Sequence, residues 1–107
     1  MRLIIFDDDT ATVSGRVVGP CALELESRLV AALSDGSGDL SVDLREVEEI
    51  DADGLGALLD VHRRALRQGG ELRIALPLGP ARELFTATGT DRFFRLIGAG
   101  APVVAAA

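Results

Sequence analysis

The spacing of apolar residues changes several times along the chain, and each change marks an element. Arg2–Asp7 carries Leu3, Ile4, Ile5 and Phe6, a short apolar run with β-branched members that predicts a strand. In Thr10–Val18, Thr12, Ser14 and Arg16 alternate with Ala11, Val13, Gly15 and Val17, the two-residue period of a second strand. With Asp7-Asp8-Asp9 as a solvated turn, the two strands pair antiparallel. Gly19-Pro20 breaks the pattern, and Cys21–Ser34 has helical period. Ala22, Leu25, Leu29, Ala32 and Leu33 share one face of it, opposite Glu24, Glu26 and Arg28. Asp35-Gly36-Ser37-Gly38 reads as a loop, Leu40–Leu44 as a strand and Arg45–Glu49 as a short acidic connection.

Asp53–Gln68 is the clearest helix, with a stripe of Leu55, Leu58, Leu59, His62, Ala65 and Leu66. Gly69-Gly70 ends it and Glu71–Leu76 reads as a strand. Strand, helix and strand in close succession predict a parallel pair with a right-handed crossover. Pro80 begins a further helix with Ala81, Leu84, Phe85 and Thr88 on one face and Gly89 after it. Asp91 is placed to cap a short last turn bearing Phe93 and Phe94, and Arg95–Ile97 to form an edge strand. The expected architecture is α/β, a mixed four- to five-stranded sheet packed against about four helices. It is a single domain over residues 1–97, followed by a small apolar C-terminal tail over 98–107. The Ala99–Ala107 stretch reads either as a tail or as a last packed strand.

Composition narrows the function classes. At 107 residues, 48% hydrophobic and 26% charged, the chain is long and apolar enough for one core without staples. Eleven basic against 17 acidic residues leave a net charge of −6, which repels phosphate backbones and argues against nucleic-acid binding. One cysteine, Cys21, forbids an internal disulfide and a cysteine-based zinc cage, and a single histidine excludes a histidine-rich metal site. The N-terminal apolar run, Leu3–Phe6, is shorter than the roughly 7–15 residues of a signal peptide. No run approaches the roughly 20 residues of a membrane span, so a cytoplasmic, soluble protein without membrane insertion is expected.

The informative stretch runs from Val42-Asp43-Leu44 to Gly54-Leu55-Gly56. A strand ends, the chain turns through Ile50–Gly54, and a helix begins whose free amides carry partial positive charge. Asp51 is placed to accept from the amide of Gly54 as the N-cap. Gly54 and Gly56 remove side-chain bulk. They either let the helix pack tightly on the sheet or let an anion approach the helix start.

Val42-Asp43-Leu44, Val47, Ile50-Asp51, Gly54-Leu55-Gly56-Ala57-Leu58-Leu59, Gly69-Gly70-Glu71-Leu72 and Thr88-Gly89 resemble the STAS domain, the anti-sigma-factor antagonist family. The likeness runs over most of residues 1–97, is densest over 40–97, and implies a STAS-type sheet with its helices. It also implies a protein partner, an anti-sigma factor that is a serine kinase of the histidine-kinase-like ATPase fold. In that family the residue after the Ile-Asp pair is the serine or threonine that this kinase phosphorylates to release the complex. Here that position is Ala52, which has no hydroxyl, and the next is Asp53. A second departure lies at Gly15-Arg16-Val17-Val18, where the family pattern ends in an acidic residue at the partner surface. A phosphoserine adds about −1.5 to −2 charge at the helix start, and Ala52 imitates the unmodified state. Asp53 reads either as a helix-start carboxylate or as a permanent partial mimic of the modified state.

Other features admit plainer readings. Glu49-x-Asp51-x-Asp53-Gly54 with Asp60 faintly matches a calcium loop, but its first and last ligand types are wrong. His62 fits a half-buried ring better than a catalytic base, since no nucleophile and orienting partner accompany it. Cys21 fits a buried helix-start residue better than a reactive thiolate. Arg63, Arg64 and Arg67 make a basic patch, opposed by Glu46, Glu48 and Glu49, that is either solvated surface or steering for a partner.

The expected protein is a non-catalytic STAS regulator without cofactor or metal. It binds a protein partner, an anti-sigma factor or serine kinase, through Asp51, Ala52, Asp53, Gly54, Leu55 and Gly56, without phosphorylation control at residue 52. The alternatives are an accessory or scaffold subunit of a multi-protein assembly, such as a stress-signalling particle or lipid-transport ATPase complex, and a small-ligand sensor.

Overall fold

The computed structural model describes residues 3–7, 10–34, 39–92 and 94–96. Among them, five strands form one sheet in the order β1-β2-β3-β4-β5. β1 (Leu3–Asp7) runs antiparallel to β2 (Thr10–Val17), pairing Ile5 with Thr12. β2, β3 (Leu40–Ile50), β4 (Leu72–Ala75) and β5 (Arg95–Leu96) are parallel neighbours. Each parallel step is bridged by a helix: α1 (Cys21–Ser34), α2 (Ala52–Arg67) and α3 (Pro80–Thr88). A 3₁₀ turn at Thr90–Arg92 follows α3. The expected mixed α/β sheet is therefore present, with three α-helices and this one turn among the described residues. Residues 98–107, expected as a tail, lie outside the described residues, as do Asp8, Asp9, residues 35–38, Phe93 and Ile97.

The core is mostly aliphatic, with Phe85 and Phe94 as its aromatic members among the described residues. Leu25, Leu29 and Leu33 of α1 are buried, as the periodicity predicts, against Val13 and Val17 of β2 and Val42 and Leu44 of β3. α2 is turned slightly from the expected stripe. Leu55, Leu58, Val61 and Ala65 are buried, Leu59 and His62 are half-buried, and Leu66 is 55% exposed. The apolar stripe is wider than the sheet can cover, so the helix beds on one side of it and leaves the other outward.

Several boundaries differ from the sequence reading, three of them for identifiable physical reasons. The segment expected as an acidic connection, Arg45–Glu49, continues β3. Its pairing with β2 shifts register between Thr12 and Ser14 and again between Gly15 and Arg16. β3 holds one more residue than β2 at each shift, which is the signature of a bulge. Buried residues consequently recur at Leu44, Val47 and Ile50, every third position, and strand alternation is hidden. α2 begins at Ala52 instead of Asp53, because Asp51 takes the cap. Asp91 lies inside the 3₁₀ turn and does not cap it; Gly89 precedes that turn at φ 73° and ends α3.

Candidate functional site

The ends of β2 and β3 meet at the start of α2, and one carboxylate ties them together. Asp51 has extended backbone, and its Oδ1 accepts from the Gly54 amide at 3.0 Å. Its Oδ2 accepts from the Gly19 amide at 2.9 Å, across 32 residues of chain. The Asp51 amide donates to the Val17 carbonyl at 3.4 Å. The cap expected from sequence is thus also a clasp on the loop between β2 and α1, where Gly19 takes a left-handed φ of 55°. The Gly54 amide first, and the Gly19 amide second, hold the Asp51 carboxyl below the ordinary carboxylate range. With the folded value depressed, this contribution is present above the unfolded carboxylate value and fades as pH falls through the folded one.

The two glycines serve different ends. A Cβ on Gly54 would stand 2.6 Å from the Val17 carbonyl oxygen and 2.7 Å from Ile50 Cγ1. The helix start therefore presses directly on the sheet. A Cβ on Gly56 would meet nothing within 4 Å. Gly54 and Leu55 are buried and support the surface from beneath; Ala52 and Asp53 are exposed; Asp51 and Gly56 are half-buried.

Ala52, Asp53 and Gly56 border an open groove of about 670 Å³ between α1 and α2. Its far wall is Pro20, just before α1, with Leu23 and Glu26 of α1, a wall that sequence reasoning missed. Leu23 is 73% exposed. The available signal was that Leu23 falls out of phase with the Ala22–Leu25–Leu29 stripe, placing a leucine on the wet side. Along α2 the groove continues past half-buried Leu59 to Asp60 and Arg63, which pair at 2.9 Å.

The remaining candidates are spread apart. Glu49 pairs with Arg16 at 2.8 Å while Asp51 is engaged by amides, so these two carboxylates of the faint calcium spacing are turned to different partners. Cys21 is half-buried at the start of α1. Val18 is half-buried and its carbonyl accepts from the Cys21 amide. The acidic residues Glu46, Glu48 and Glu49 are exposed on β3, and Arg63, Arg64 and Arg67 are exposed on α2.

His62 packs edge-on against Phe94, with ring centroids 5.4 Å apart. Its Nδ1 is buried without a hydrogen-bond partner among the described residues. Burial first, and the Arg63 charge second, lower its pKa from the ordinary imidazole value. The unfolded chain therefore takes up the proton first, and stability falls as pH drops through about 6.5. His62→Phe removes both the orphaned nitrogen and this loss. Thermal melts from about pH 8 to about pH 5.5 should show a flatter profile and a higher Tm for the variant. An equal acid loss in both proteins would place the titrating group elsewhere.

Among the described residues, no helix is long and apolar enough to cross a membrane. The family model described as Mlab, STAS domain, matches residues 6–98. Among solved structures, an anti-sigma factor antagonist from Mycobacterium paratuberculosis is 28% identical, with a TM-score of 0.72 over 95% of this chain and 85% of that one. The unphosphorylated form of the anti-sigma factor antagonist SpoIIAA shares the fold at 13% identity, with a TM-score of 0.73 over 91% of this chain and 88% of that one. The solution structure of Thermotoga maritima TM1081 does so at 19% identity, with a TM-score of 0.73 over 91% and 80%. No curated protein matches the sequence significantly. With the family match spanning most of its length and the same sheet and helices in place, the chain belongs to the STAS domain family.

Proposed function

We propose that this STAS domain is a non-catalytic regulatory protein that binds a protein partner through the groove at the start of α2, free of phosphorylation control at residue 52. The carrying observation is Ala52, an exposed methyl at the first position of α2, on the rim of that groove. Ala52, Asp53 and Gly56 offer contact surface, while Asp51, Gly54 and Leu55 hold it in shape. The partner is an anti-sigma factor of the serine-kinase type, in keeping with the antagonists that share this fold. Without a hydroxyl the chain stays in the binding state and acts as a constitutive competitor.

A second reading, an accessory subunit of a multi-protein assembly such as a lipid-transport ATPase complex, is favoured by the same alanine. That role needs shape and surface, and no phosphoacceptor.

Co-purification from the native cell, followed by titration of the captured partner, tests both. Leu23→Asp places a charge on the groove wall at a residue 73% exposed, where the fold does not depend on it. Affinity should fall about tenfold or more, roughly 1.4 kcal/mol, with the melting temperature unchanged. Undiminished affinity would remove the groove from the interface. A kinase-like ATPase as the captured protein supports the first reading, and a transporter ATPase the second. Incubation with ATP and that kinase should leave residue 52 without phosphate.

A further inference from the structure

The outward side of α2 is continuous from one end of the helix to the other. Ala52, Gly56, Leu59, Arg63 and Leu66 follow the four-and-three spacing of a single face, with Arg67 beside them. The charge on this side is divided. Asp53 lies at its start, where Glu26 of α1 lines the same groove, and Asp60 lies at its middle. Arg63, Arg64 and Arg67 occupy its end. Asp60 and Arg63 are satisfied by each other. Glu26, Asp53, Arg64 and Arg67 form no ion pair with any described residue. The apolar part of this side is half-buried Leu59 at the middle and, among the arginines of the basic end, Leu66, 55% exposed.

We propose that this face is a self-association surface, on which a second copy of the chain lays its own α2 antiparallel about a two-fold axis. An isologous interface meets itself. A strip that is acidic at one end and basic at the other is complementary to its own copy only when the two run in opposite directions. With the axis near Leu59 and Asp60, Asp53 comes opposite the partner's Arg67, and Gly56 opposite the partner's Arg63. Gly56 has no side chain and open space above it, so the helices approach closely there. The face spans about 22 Å, long enough to engage both charged ends at once. The net charge of −6 opposes association, so the dimer is weak and local pairing decides its geometry. This goes beyond the hetero-partner reading and bears on its regulation, because the dimer covers Ala52 and the two complexes exclude each other.

Sedimentation equilibrium and light scattering on the full chain, from about 10 µM to about 1 mM, cover the range of a weak dimer. The mass should climb toward twice that of the protomer. Gly56→Arg sets an arginine against the partner's Arg63 without touching the protomer's own packing, and should weaken association about tenfold or more. Asp53→Arg and Arg67→Asp should each do the same, while D53R/R67D together return the dissociation constant to within about threefold of wild type. A monomer throughout that range overturns the proposal, as does a dimer indifferent to Gly56→Arg and Asp53→Arg. A monomer that still binds its ATPase partner overturns self-association and leaves the hetero-partner reading intact.

Discussion

Gly54→Ala is expected to cost about 3 kcal/mol, and Gly56→Ala to add about 0.5–1 kcal/mol, although the two glycines sit two residues apart in one helix. The difference lies in what each faces. The first methyl would meet the Val17 carbonyl at 2.6 Å and Ile50 Cγ1 at 2.7 Å, below any ordinary carbon contact. Backbone on one side and a buried side chain on the other leave little room to yield. Relief requires α2 to lift from the ends of β2 and β3, which stretches the Asp51 bonds to Gly54 and Gly19. The second methyl enters open space and only removes backbone freedom from the unfolded chain. A domain of this size loses about 4–8 °C per kcal/mol, so Gly54→Ala should melt on the order of 15 °C lower. Equal melting temperatures for the two variants would contradict the close contact at Gly54.

The other large effect is Phe85→Ala. Phe85 is fully buried on α3 and meets Phe94 edge-on, with ring centroids 6.2 Å apart. Phe94 in turn meets His62 of α2, so three rings join α3, the approach to β5 and α2. Apart from Phe94 the surrounding core is aliphatic, and truncating Phe85 leaves a ring-sized space within it. The expected loss is about 3–5 kcal/mol, with Phe85→Leu costing roughly half as much. Against a total stability of about 5–15 kcal/mol, this is a large fraction of what keeps the domain folded. Urea titration should lower the midpoint while the slope stays near the wild-type value. A loss under about 1 kcal/mol would show that the aromatic link carries no weight.

Much of this molecule was legible in its residues, for identifiable reasons. The boundaries of α1 and the Asp51 cap follow from local signals, a break at Gly19-Pro20 and an aspartate three residues before an amide that needs an acceptor. Features that depend on distant parts of the chain were not legible. The bulges in β3 arise from pairing with β2, and they turned a strand into what reads as an acidic linker. The choice of Val61 over Leu66 as a buried position is made by the sheet beneath α2. The groove exists only because α1 packs beside α2, so Pro20, Leu23 and Glu26 gave no hint of sharing a site with Ala52. Asp51 was legible as a cap but not as a clasp, since its second bond reaches back to Gly19.

The clasp also bears on what a single mutation can add. Each alanine codon is one nucleotide from a serine and a threonine codon, and Ala52 is exposed, with the helix start held by Asp51. One point mutation therefore places a hydroxyl at residue 52, on a helix start whose cap and clasp do not use that side chain.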